Sequence, residues 1–324
     1  MKCDAHTHVM SPTWFIRDNP VFPAPRKTNR RRQLSDPRPS MARAPRDQAH
    51  LDHARKIARC RSAEEQAQLL LADMDAAGID KACLMVMDFD MTNSKVTVPH
   101  EQQLQELADV SKTHQGRFVL FCGMDLRRGK DGLPLFEKAI KDLGYQGLKL
   151  LPHWGFFPQD RNLSYAYYEV CSARNVPVAA NCSAIGDSHV AAKYCHPMNW
   201  EEVAYDFPQM NICLAHGGVP YHYEYALALA GMKHNVYMDL GDWQTNDPNQ
   251  LELVLRITRR AMDGAARYKI MFASDWPVFR AIYDEKEWVE HFTRGAHAYG
   301  ITFTSEELDL LFWQNVQDYL DVNF

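Results

Sequence analysis

One pattern constrains this chain more than any other. A short apolar run, a turn and a longer helical stretch follow one another, and the apolar run recurs eight times. The runs fall at 2–6, 81–87, 118–123, 147–151, 177–182, 211–215, 235–240 and 269–273. Helical patterning fills 63–78, 99–114, 132–143, 163–175, 199–207, 221–232 and 249–266, with 283–292 and 305–319 after the last run. Near-continuously apolar strands alternating with helices form a parallel sheet covered on its outside. Eight such units predict one closed (β/α)8 TIM barrel over residues 1–324 rather than an open sheet. The rival Rossmann sheet needs a GxGxxG after an early strand, and the sequence has none. Hydrophobic residues make up 46% of the chain, enough to fill a core of that size.

A formal charge of −5 gives no global reason to expect nucleic acid or a membrane as partner. Eight scattered cysteines include no CxxC pair, and several sit in apolar runs as buried free thiols do. A reduced, cytoplasmic setting is expected. Met1-Lys2 leads straight into a polar, histidine-rich stretch, without the apolar segment of a signal peptide, and no apolar run is long enough to span a bilayer. The stretch from about 12 to 62 breaks the repeat. It carries thirteen Lys and Arg residues against Asp18, Asp36, Asp47 and Asp52, and its prolines (Pro12, Pro20, Pro23, Pro25, Pro37, Pro39, Pro45) oppose regular structure through its first half. Following the first strand, it belongs over the C-terminal mouth of the barrel. Three readings are open: a solvated basic loop, a lid whose arginines grip an anionic substrate, or an arm for RNA or a second subunit.

The residue types that carry chemistry fall at strand ends. His6 and His8 are two apart at the end of strand 1, so both imidazoles face one point. Neutral imidazole is a common ligand of divalent transition metals. Asp275, in Ala273-Ser274-Asp275-Trp276-Pro277 after strand 8, supplies a carboxylate to the same mouth, where it can bind a metal or take a proton from water. A helix N-cap is its structural alternative. His216, before Gly217-Gly218 at the end of strand 6, can polarise a substrate oxygen or orient water. Lys149 lies within an apolar strand and needs a carboxylate or ligand partner there. His153 and Trp154 follow strand 4 and are candidates for substrate contact. His189 and His196 belong to the rim after strand 5, while His50, His53, His222 and His234 read as surface or core-covering residues.

Taken together, Asp4-Ala5-His6-Thr7-His8, Met74-Asp75-Ala76-Ala77-Gly78-Ile79-Asp80, Gly147-Leu148-Lys149-Leu150, Ala215-His216-Gly217-Gly218 and Ala273-Ser274-Asp275-Trp276-Pro277 resemble the amidohydrolase-related family that includes aminocarboxymuconate-semialdehyde decarboxylase. The resemblance spans nearly the whole chain in the family's order. It implies a barrel of the metal-dependent hydrolase type with one divalent ion, usually zinc, held by the two histidines of strand 1, a strand-5 histidine and Asp275, with His216 as the acid/base residue. It also implies pairing as a homodimer, a common state among such decarboxylases.

Strand 5 departs from that pattern. Asn181 stands where the histidine ligand belongs, and an amide oxygen is the poorer zinc ligand. Cys182 is adjacent, but strand alternation turns it the other way. Three outcomes are open: a metal held by His6, His8 and Asp275 with Asn181 weak or absent, metal-free chemistry as in the pyrone-dicarboxylate lactonases, or a silent barrel. Three functions follow. The first is a hydrolase in which activated water attacks a small, anionic, carboxylated aromatic or ring-fission substrate, with His216 and Lys149 facing the oxyanion. The second is a non-oxidative decarboxylase (a carboxy-lyase) on the same site. The third is a catalytically silent barrel that binds a ligand.

Overall fold

The computed structural model describes residues 1–15, 45–92, 96–183 and 191–321. Eight strands run parallel in sequential order: β1 (Cys3–Thr7), β2 (Lys81–Met85), β3 (Phe118–Gly123), β4 (Gly147–Leu150), β5 (Val178–Asn181), β6 (Ile212–Ala215), β7 (Val236–Asp239) and β8 (Ile270–Met271). Beyond β8 the chain returns to β1. Ala5 N donates to Phe272 O at 3.0 Å, Asp275 N to His6 O at 2.9 Å and His8 N to Trp276 O at 2.6 Å, which closes the barrel. The last strand is shorter than the expected 269–273 because its later amides bond elsewhere: Phe272 N donates to Leu311 O and Ser274 N to the Asp4 carboxylate.

The helices include α1 (Gln48–Ile57), α2 (Ala63–Ala77), α3 (His100–Thr113), α4 (Leu133–Asp142), α5 (Tyr165–Ala173), α6 (Glu201–Asp206), α7 (Tyr223–Met232), α8 (Pro248–Met262) and α9 (Glu285–Phe292). The helix expected over 305–319 is interrupted: α10 (Ser305–Asp309) and α11 (Asn315–Leu320) are joined through a π-turn at Leu310–Gln314. The basic stretch is less irregular than expected, since α1 lies inside it, started by the Asp47 side chain accepting from His50 N. Arg17, Arg26, Lys27, Arg30, Arg31, Arg32, Arg38 and Arg43, with Asp18, Asp36 and His189, lie outside the described residues.

Two layers of packing position the site. Outward-facing strand residues such as Leu84, Leu120, Leu148, Ile212 and Ile270 pack under the helices. Inward-facing residues are smaller: Cys3, Ala5, Cys83, Ala179, Cys213 and Ala273 share the interior with Phe121 and Tyr237, and Tyr319, Val316 and Leu320 of α11 plug the N-terminal end. All eight cysteines are buried free thiols. No helix among the described residues is long and apolar enough to cross a membrane.

Candidate active site

The C-terminal strand ends bring six ionisable side chains to one point: His6, His8, Lys149, His216, Asp239 and Asp275, all buried. The register of β1 against β2 shifts between Asp4 and Thr7. That irregularity lets Ala5 pack in the interior while His6, next along, also turns into the mouth. Asp4 secures it, because its Oδ1 accepts from His6 N and from Ser274 N, each at 3.0 Å, tying β1 to the residue before Asp275. Burial raises the Asp4 carboxyl above the usual range. On the other side of Asp275, Trp276 Nε1 donates to Asp73 of α2 at 2.9 Å, and Arg280 Nε holds the same carboxylate.

Hydrogen-bond partners assign both strand-1 imidazoles. His8 Nδ1 is 2.7 Å from Met85 O, a pure acceptor, so Nδ1 carries the proton. Its Nε2 then faces Asp275 Oδ1 at 3.1 Å. Two acceptors at that distance require a proton or a cation between them. His6 Nδ1 donates to Asp239 Oδ2 at 2.9 Å, which leaves one lone pair on Nε2. Lys149 Nζ donates to that lone pair at 2.9 Å, with Asp275 Oδ1 3.7 Å from the same nitrogen. Burial, then the neighbouring Lys149, holds His6 well below the ordinary histidine range, so it is neutral. Burial also lowers Lys149, against the pull of Asp239 and Asp275, and raises Asp275.

His216 reaches the mouth through its backbone. It adopts φ +69°, and Gly217 and Gly218 continue at +56° and +75°, a left-handed turn that only glycine tolerates at length. Asp275 is left-handed too, at φ +55°, so two strand ends store strain beside the cluster. The His216 ring stacks on His6 with centroids 4.6 Å apart. Its Nδ1 has no hydrogen-bond partner among the described residues, and burial holds it well below the usual range. Trp243 Nε1 donates to His216 O at 3.0 Å.

Asp239 was not singled out from the sequence. Its carboxylate orients four groups: His6 Nδ1, His216 N at 2.8 Å, Gly241 N at 3.0 Å and the Cys213 thiol at 3.6 Å. Gly241 is closely packed there, since a Cβ would lie 3.0 Å from His216 Nδ1 and 3.3 Å from Asp275 Cβ. The signal for Asp239 was present: an acid ending the apolar run Val236-Tyr237-Met238, the same placement that drew attention to Asp275.

The remaining candidates divide. Asn181 ends β5 at the mouth, but its Oδ1 accepts from Ser183 N at 2.9 Å and Ser183 Oγ at 3.0 Å, which uses both lone pairs. Cys182 packs in the outer core, as alternation predicts. His153 is buried, with no hydrogen-bond partner for Nδ1 among the described residues, and burial, helped by Lys149, pushes it down to about 3. Trp154 is half-buried against Phe89, with centroids 5.4 Å apart. His196 pairs with His222 and Tyr225 instead of with the cluster.

A divalent ion fits part of this arrangement. One donor atom each of His6, His8 and Asp275 lie within 4.8 Å of one another, and both Nδ1 atoms are committed to other partners, which aims the Nε2 lone pairs inward. Asn181 Oδ1 is already occupied and adds no fourth donor.

These features sit on a chain that belongs to the amidohydrolase family, whose sequence model, described as Amidohydrolase, matches residues 3–316. No curated protein matches the sequence. Among solved structures, the chain is similar to an uncharacterised TIM-barrel protein of Bordetella bronchiseptica (17% identity, TM-score 0.63, covering 99% of this chain and 98% of that one). It is also similar to a probable 2-pyrone-4,6-dicarboxylic acid hydrolase of Acinetobacter baumannii with citric acid bound (13%, 0.60, 99% of each). A third is an amidohydrolase of Burkholderia multivorans with bound zinc (14%, 0.61, 100% of each).

Proposed function

We propose that this protein is a hydrolase that opens a carboxylated lactone or amide with activated water. The observation that carries the reading is the opposition of His8 Nε2 and Asp275 Oδ1 at 3.1 Å: a pair built to hold one exchangeable proton at the barrel mouth. Once the pair has given up that proton, water placed against Asp275 gives one of its own to the pair as its oxygen attacks the substrate carbonyl. Burial raises the Asp275 carboxyl, which strengthens it as a base. Neutral His216, stacked beside the pair, donates a hydrogen bond to the developing oxyanion, and the Lys149 ammonium supplies positive charge from below. The proton held by His8 and Asp275 then passes to the leaving oxygen or nitrogen. A divalent ion on His6, His8 and Asp275 would lower the pKa of water and polarise the carbonyl.

What surrounds the cluster supports an anionic substrate. Lys149 gives the interior a cationic element facing the mouth, and His153 and Trp154 offer a neutral imidazole and an aromatic wall. The related barrel with citric acid bound holds a polycarboxylate, in keeping with a small anionic substrate. The test is incubation of purified protein with carboxylated lactones and amides, beginning with 2-pyrone-4,6-dicarboxylate, in water enriched in oxygen-18. Ring opening with one heavy oxygen in the product is expected. Carbon dioxide release without label would assign the decarboxylase reaction instead, and an untouched panel would overturn the reading.

A further inference from the structure

The mouth contains a cation of its own. Lys149 enters from β4, where its register neighbours are Gly123 on β3 and Ala179 on β5. Ala179, with Ala5 and Ala273 in the interior, leaves room for the side chain to reach β1. It ends 2.9 Å from His6 Nε2, between the carboxylates of Asp239 and Asp275. His6 has spent Nδ1 on Asp239, so Nε2 offers a single lone pair. That lone pair serves Lys149 or a metal ion, never both.

We infer that Lys149 is the residue that sets metal occupancy in this barrel: its amine and a divalent ion compete for His6. Charge points the same way. A metal ion displaces the proton shared by His8 and Asp275, and what then remains is two carboxylates and one ammonium, a single net negative charge in a buried site. A divalent ion added to that set overshoots to net positive, whereas added to the same set without the ammonium it neutralises the site. The occupied oxygen of Asn181 compounds the effect, since no fourth protein donor compensates for a contested His6. This inference does not depend on which substrate is turned over, because its test needs none.

The test is cobalt(II) and zinc(II) binding by equilibrium dialysis, with the cobalt d–d absorption as a direct readout of ligation. Lys149→Met keeps the length and removes the donor, and Lys149→Gln serves if the methionine variant misfolds. Either is expected to bind cobalt at least about tenfold more tightly than the unaltered protein, the scale of a neighbouring group's influence on a metal ligand. Lys149→Arg, which keeps charge and donors, is expected to show no gain. Adding Asp275→Asn to the methionine variant is expected to abolish the gain. That control separates the mouth from the partly exposed His50, Asp284 and Glu287 trio. Equal or weaker cobalt binding by the neutral variants overturns the inference, and so does a gain that survives Asp275→Asn.

Discussion

The two sides of the barrel mouth are built differently. On the β1/β8 side, each donor is oriented by a further partner: Met85 O fixes His8, Asp239 fixes His6, and Asp4 ties both strands together through His6 N and Ser274 N. On the β5 side, Asn181 closes on its own chain through Ser183, in a local turn that occupies its side-chain oxygen. Orientation by outside partners leaves lone pairs available for chemistry, whereas a self-contained turn consumes them. On the proposed function, the difference sets the pair that activates water on the β1/β8 side and makes β5 a wall.

The largest expected effect comes from breaking the active side. Asp275→Asn keeps the shape but removes the base, and kcat should fall by about 10³-fold, within the usual contribution of a positioned general base. Steady-state kinetics on a turned-over substrate decide it, and a loss below about tenfold would move the chemistry elsewhere. Asp239→Asn comes next. The residue touches His6 and two backbone amides near the reacting groups, so it positions and does not react. A loss of about 10- to 100-fold in kcat is expected, the range seen when a carboxylate orienting a ligand histidine is removed. KM should stay within about threefold. A raised KM at constant kcat would instead make Asp239 part of the substrate pocket.

Much of this is legible in the sequence. The eightfold alternation specified the barrel because burial on both strand faces writes an unbroken apolar run. His6, His8, Lys149, His216 and Asp275 were legible because charged or ligating residues at the ends of apolar strands are costly unless they meet a partner. Asp239 follows the same rule, but one acid at a strand end also reads as the start of a turn. The orientation of the Lys149 amine toward His6, and not toward a carboxylate alone, was beyond sequence reasoning. It depends on the small residues Ala179, Ala5 and Ala273, which lie on three other stretches of chain and leave the interior open to it. The closed turn at Asn181 was equally hidden, because whether an amide ligates or bonds locally depends on the next residues' backbone.

Asn181→Ala gives the smallest effect on chemistry and the sharpest separation of the two sides. Ser183 is buried, and its amide and hydroxyl both lose their acceptor in this variant. Leaving buried donors unsatisfied costs about 1–3 kcal/mol, so chemical denaturation should show a clear loss of stability. Cobalt affinity, measured in the Lys149→Met background where binding is strongest, should stay within about threefold. A stability loss with unchanged affinity is what a wall residue produces. A tenfold drop in affinity with unchanged stability would mean that Asn181 swings away from Ser183 to become a ligand. The two sides of the mouth would then be alike, and the strand-5 substitution would have preserved a four-donor site in a different chemical form.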